Sequence, residues 1–116
     1  MKAILINPED QTIKEIDIKK GINAMYKALD CDCFAAPVTY DNGDTMYCDD
    51  EGLFKPQTGG FLMPKWDSMI VGKVLVIGCD LGTGESKDVE TPIGFFNKHI
   101  IWQDKEQVEK YQSQFI

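Results

Sequence analysis

Ile70-Val-Gly-Lys-Val-Leu-Val-Ile-Gly-Cys-Asp80 is the stretch whose reading decides the fold. Val74 to Ile77 are consecutive apolar residues, β-branched ones among them, bounded by Gly72 and Gly78. A run with no polar position fits a strand covered on both faces better than one with a wet side. Ile70 to Gly78 therefore reads as the central strand. Its continuation, Leu81-Gly-Thr-Gly-Glu-Ser86, has the glycine content of a nucleotide loop but not the spacing. Counted from Gly78, the second glycine of a Walker motif falls on Thr83. The third glycine of a dinucleotide fingerprint begun at Gly82 falls on Lys87. The segment reads instead as a flexible turn bearing Asp80, Glu85 and Asp88.

Working outward, Ala3-Ile-Leu-Ile6 forms a compact strand stopped by the Asn7-Pro8 turn, and Thr12 to Ile18 forms a second. Together they predict an N-terminal hairpin. Ile16 and Ile18 share a face of the second strand, with Ile13 out of phase, so its other side is only partly wet. Ile22, Met25, Tyr26 and Leu29 recur at the spacing of one buried helical face, ending near Asp30-Cys-Asp32. Cys33 to Tyr40 and Thr45 to Cys48 flank Asp41-Asn-Gly-Asp44, whose Asn-Gly centre predicts a two-residue type I′ hairpin. That register sets Tyr40 opposite Thr45, Val38 opposite Tyr47 and Asp41 opposite Asp44. Pro37 places its strand at an edge or a bulge. Thr91-Pro92 predicts a helix start with proline at the first position. His99 to Trp102 predicts a short strand, and Asp104 to Gln107 a capping box before a helix with Val108, Tyr111 and Phe115 on one face. The expectation is a single domain over 1–116. Its class is α+β, with a mostly antiparallel sheet of five to six strands and two or three short helices.

Composition limits function. The chain has 116 residues, and its 43% apolar content is that of a globular protein with one modest core. It shows neither an apolar run of membrane-spanning length nor the apolar core of a secretory signal at Met1, so a cytoplasmic location is expected. Nineteen acids against twelve bases leave a net charge of −7, and every base is lysine. Nucleic acid is held by Lys and Arg neutralising phosphates, so an acidic chain without Arg is poorly suited to that task. It is better suited to a basic protein surface, including one that itself binds nucleic acid. The acids concentrate between Ala28 and Phe54, where no base occurs. Asp41, Asp44, Asp49, Asp50 and Glu51 are the candidate partner-binding charges. Phe54, Phe61 and Trp66 are candidate apolar anchors beside them, unless Phe61 and Trp66 fill the core.

No reaction is legible. The cysteines at 31, 33, 48 and 79 lack paired C-x-x-C knuckles, and no metal or cofactor is expected. In the predicted hairpin register Cys48 faces Pro37, four residues from Cys33, on the order of 13 Å away. His99, the single histidine, has no local nucleophile signature, although a small enzyme using Cys79 or His99 stays open as an alternative.

Three segments in order, Met1-Lys-Ala-Ile-Leu-Ile-Asn-Pro8 with Ile13 to Ile18, Asp49-Asp-Glu-Gly-Leu-Phe-Lys55, and Ile70 to Gly78 with Asp80 and Gly84-Glu85, carry a resemblance. Together they resemble a family of small proteins of phages, plasmids and gut bacteria classed as a domain of unknown function. The similarity extends to about residue 90, with the cysteines and His99-Ile-Ile-Trp102 outside its pattern. The resemblance implies no activity and no catalytic residues. It implies a mobile-element setting, in which small acidic proteins inhibit host defence. The expected role is thus a non-enzymatic inhibitor of a CRISPR effector or restriction enzyme in a bacterial host, with a homodimer compatible with the chain. The alternative is a sponge that sequesters a nucleotide signal, using lysines, hydroxyls or the N–H groups of the 82–86 turn.

Overall fold

Apolar side chains at alternate positions of Val74–Cys79 enter two different cores, and the fold is arranged around that division. The computed structural model describes residues 1–31, 33–52, 55, 57–64 and 68–115. In chain order the elements are β1 (Lys2–Asn7), β2 (Thr12–Asp17), α1 (Ile22–Leu29), β3 (Phe34–Thr39), β4 (Thr45–Asp49) and β5 (Gly60–Leu62). Then follow β6 (Ile70–Val71), β7 (Val74–Cys79), β8 (Ser86–Lys87), α2 (Ile93–His99), β9 (Ile101–Gln103) and α3 (Lys105–Gln112). The main sheet is antiparallel in the order β2-β1-β7-β4-β3, with β8 also paired to β7. A second antiparallel sheet runs β6-β5-β9, giving the α+β class expected.

β7 is bonded on both edges. Ile4, Leu5 and Ile6 of β1 face Val76, Leu75 and Val74, while Met46 and Tyr47 of β4 face Val76 and Leu75. Because side chains alternate along a strand, Val74 and Val76 join Ile4, Ile6, Met46, Phe61, Met63, Ile70, Val89 and Phe96 in one cluster. Leu75 and Ile77 join Ala3, Met25 and Leu29 in the other. The first cluster lies toward the small sheet and α2, the second toward α1. Ile13 packs on the first and Ile16 and Ile18 on the second, so the out-of-phase isoleucine of β2 serves the opposite face.

Five local expectations are corrected. The run Ile70 to Gly78 is two strands. Gly72 sits at φ 78°, a left-handed conformation that sends Ile70–Val71 to the small sheet opposite Phe61 and Gly60. The β3–β4 tip is a three-residue loop, Asp41-Asn42-Gly43. Tyr40 N–H donates to Asp44 O at 2.8 Å and Gly43 N–H to Tyr40 O at 2.9 Å. A type I′ turn needs positive φ at both centres, and of the two only Gly43 has it, at 94°. The strands therefore pair as Thr39 with Thr45 and Val38 with Met46, one residue from the expected register. Asp41 consequently does not face Asp44. A Cβ on Gly43 would lie 2.2 Å from Cys79 O, so glycine is required there twice over. At α1, Met25 and Leu29 are buried but Ile22 is 52% exposed. At α2 the cap is Pro92 itself, without a side-chain bond, because the Thr91 hydroxyl is engaged elsewhere. The terminal strand also begins later than expected, with His99 closing α2 and Ile101 opening β9.

Other expectations hold. Pro37 lies on the edge strand, and the β3–β4 register shifts between Ala35 and Val38. The capping box of α3 is complete, with Gln107 N–H to Asp104 Oδ1 and Asp104 N–H to Gln107 Oε1 both 2.8 Å.

If β7 is two-sided, Leu75→Ala and Val76→Ala should each cost about 3 kcal/mol in urea unfolding. A strand with one wet face would leave one of the two near neutral.

Candidate functional site

The acidic turn after β4 is held from three directions. Asp49 accepts the Glu51 N–H at 3.0 Å and the Lys55 ammonium at 2.7 Å. Its side chain keeps only 15% of its exposure. The hydrogen bond to Asp49 is the main reason that the Lys55 pKa lies above its usual value. Asp50 N–H donates to Cys33 O at 3.1 Å, extending the β3–β4 ladder. From the far end of the chain, buried Gln112 of α3 donates to Gly52 O at 3.2 Å and Lys55 O at 2.7 Å. The main chain of the turn is thereby fixed, while Asp50 and Glu51 are exposed.

Beside this turn lies a groove of about 320 Å³. Pro37 of β3, Cys48 of β4, Met69, Ile70 and Val71 around β6, and Tyr111 of α3 line it, with Asp49 and Asp50 at its lip. An apolar trough edged by carboxylates suits a cationic side chain with an aliphatic stem. It is a property of tertiary structure, since β3, β6 and α3 come together only when the chain folds.

The candidate charges do not form one face. Asp44 is wholly buried and is withdrawn as a partner-binding residue. Its carboxylate accepts the N–H groups of Glu90 (3.1 Å) and Thr91 (2.7 Å), the Thr91 hydroxyl, and the Asn42 amide at 3.4 Å. A carboxylate buried without such donors would be expensive, so the hairpin tip and the 90–91 segment are bound to each other through it. Phe61 is also withdrawn. It has no exposed surface, and its ring meets Trp102 edge-on, centroids 6.2 Å apart. Asp49 contributes to the lip but its oxygens are engaged as above. Asp41 is exposed at the hairpin tip, at the other end of β4 from Asp50 and Glu51. At ~3.3 Å per residue, on the order of 13 Å of strand separates them. Phe54 and Trp66 lie outside the described residues.

In the 80–85 turn the Gly82 and Thr83 N–H groups donate to Asp80 Oδ1 at 2.8 and 3.2 Å, and the Gly84 N–H to Asp80 O at 2.7 Å. Those donors are already occupied by the protein itself, not turned toward a phosphate. Cys33, Cys48 and Cys79 are free thiols. The observed register sets Cys48 opposite Ala35, not Pro37. Cys33 is then a diagonal neighbour at roughly 7–8 Å, closer than the expected separation but still outside disulfide reach. Burial, then Asp49 and Asp50, push the Cys48 thiol up to about 11. His99 packs against Phe95 with the rings tilted and centroids 4.6 Å apart. Among the described residues no three His, Cys, Asp or Glu side chains assemble as metal ligands. No helix there is long and apolar enough to cross a membrane.

Sequence reasoning missed Met69, Val71 and Tyr111 as groove residues. Pro37 alone signalled the edge on which the groove lies.

Fold and site define a small acidic α+β protein, built from two antiparallel sheets, with a carboxylate-edged groove. The chain belongs to the family described as Domain of unknown function (DUF3846), whose model matches residues 1–100. That span runs past the limit near residue 90 expected from the sequence and takes in His99. No curated protein and no solved structure matches the chain.

Two outcomes follow from these placements. Asp44→Ala should destabilise the protein by about 3 kcal/mol, because it strands two main-chain donors, whereas Asp41→Asn should change stability little; chemical denaturation distinguishes them. With its thiol pushed up to about 11, Cys48 is almost wholly protonated at neutral pH. In iodoacetamide labelling followed by mass spectrometry, exposed Cys33 should be modified well before Cys48. The sign for stability also follows. The folded thiol ionises later than an unfolded one, so this group destabilises the fold only as pH rises above the unfolded pKa.

Proposed function

We propose that this protein is a non-enzymatic binding protein which engages a basic, nucleic-acid-binding surface of a host defence enzyme, such as a CRISPR effector or restriction enzyme, and blocks it. The observation that carries the reading is the rigid acidic turn with exposed Asp50 and Glu51 beside an apolar groove. A net charge of −7 with no Arg speeds encounter with a positive surface and disfavours direct nucleic-acid binding. Charge alone gives modest affinity, since exposed ion pairs are individually worth about 0–1 kcal/mol. A partner's Arg or Lys with its stem in the groove would add buried apolar contact to that charge. The mobile-element setting implied by the family resemblance supplies the biological frame for an inhibitor acting in a bacterial cytoplasm.

The test is inhibition of DNA cleavage in vitro by a panel of CRISPR effectors and restriction enzymes. Where the native protein inhibits, the triple variant Asp41→Asn, Asp50→Asn, Glu51→Gln should be weakened roughly tenfold or more. These side chains are exposed, so folding is preserved. Equal inhibition by the variant would sink the acidic-surface mechanism, and inhibition of no panel member would count against the defence target.

A further inference from the structure

A second, broader groove lies away from the acidic turn, between the end of β2 and α1, with a volume of about 930 Å³. Its walls are the chain from Asp17 to Ala24 and the next turn of α1. Ile18 and Ile22 supply apolar surface, and Lys19, Lys20 and Lys27 stand around it. Ile22 is 52% exposed although it lies on the apolar side of the sequence pattern. Ile22 lines the trough together with Ile18, Ala24 and Ala28, so it belongs to a shared apolar lining and is not a singly exposed residue.

Three lysines on one trough are notable in a chain with a net charge of −7. The ion pairs among the described residues join Lys2 to Glu15, Lys55 to Asp49, Lys87 to Glu90 and Lys105 to Glu109. None uses Lys19, Lys20 or Lys27. The first turn of α1 contains no acid that would compete for them, and Asp17 is the one carboxylate lining the trough. The overall field of the molecule is negative, yet this surface is locally positive.

We propose that this trough is a second binding surface, independent of the acidic groove, which takes an acidic peptide segment bearing an apolar side chain. Charge complementarity selects carboxylates for the lysine rim, and Ile18 with Ile22 selects an aliphatic or aromatic residue between them. The trough is built along a continuous stretch of chain and is open to solvent. A small ligand is ordinarily enclosed over most of its surface, whereas an extended segment needs only one side covered. Nucleic acid is the poorer occupant, because each added phosphate meets the negative field of the remaining molecule and no Arg is present to clamp it.

Fluorescence anisotropy with a fluorescein-labelled peptide of glutamate and leucine tests this directly, with its glutamine–leucine counterpart and a labelled single-stranded oligonucleotide alongside. The native protein should bind the glutamate peptide saturably and more tightly than either comparator. The double variant Lys19→Ala, Lys20→Ala should bind it roughly tenfold more weakly, and Ile22→Asn should weaken it as well. The matched variant Lys98→Ala, Lys110→Ala carries the same charge change elsewhere and should bind as the native protein does. Equal binding of the glutamine peptide, tighter binding of the oligonucleotide, or equal losses in the two lysine doubles would each overturn the proposal. So would the absence of binding by the native protein.

Discussion

Both hydrogen-bonding edges of β7 are taken, by β1 and by β4, and both of its faces are covered by apolar clusters. An antiparallel strand usually keeps one wet face, so this arrangement demands two covering layers. Helix α1 covers one side. The small sheet and α2 cover the other, which explains why a chain of this size carries a second sheet. Gly72 is where the small sheet joins the main one. It lets consecutive residues leave the small sheet and enter the centre of the large one within a single tight bend. Gly78 has a related role, because a Cβ there would lie 2.3 Å from Asp88 O, and the returning chain could not pack as it does.

The buried carboxylate of Asp44 is the polar counterpart of that apolar centre. Two main-chain N–H groups and two side chains converge on it, so the hairpin tip and the start of the α2 segment are positioned by one charged group. This has a functional corollary. An acid that looks available for a partner when read in one dimension is spent on folding. Asp49 follows the same logic less completely, with Lys55 and the Glu51 N–H as its partners. What is left for recognition is fewer charges on a firmer frame. Asp50 and Glu51 project from a turn whose carbonyls are held by Gln112, sixty residues later in the case of Gly52.

The charge distribution is therefore two-sided rather than uniformly acidic. Carboxylates edge the groove between β3, β6 and α3, and lysines edge the trough beside α1. Each surface couples its charge to apolar lining, and that combination gives a docked side chain more stability than exposed ion pairs alone.

Much of the frame was legible from residue order. The N-terminal hairpin, the two-faced strand at Val74 to Ile77, the Pro37 edge and the Asp104–Gln107 capping box all follow from local rules of periodicity, side-chain branching and capping, which act over a few residues. The errors have one physical source. Turn type at Asn42-Gly43, the break at Gly72 and the exposure of Ile22 depend on what packs, or fails to pack, against the segment from elsewhere in the chain. The same holds for the site. The sequence by itself determined that this protein is acidic, lacks Arg and concentrates its acids before residue 54. Only the tertiary structure decided which acids reach solvent, because a carboxylate's fate depends on whether distant donors such as Glu90 and Thr91 arrive to satisfy it. The groove likewise exists only where β3, β6 and α3 meet.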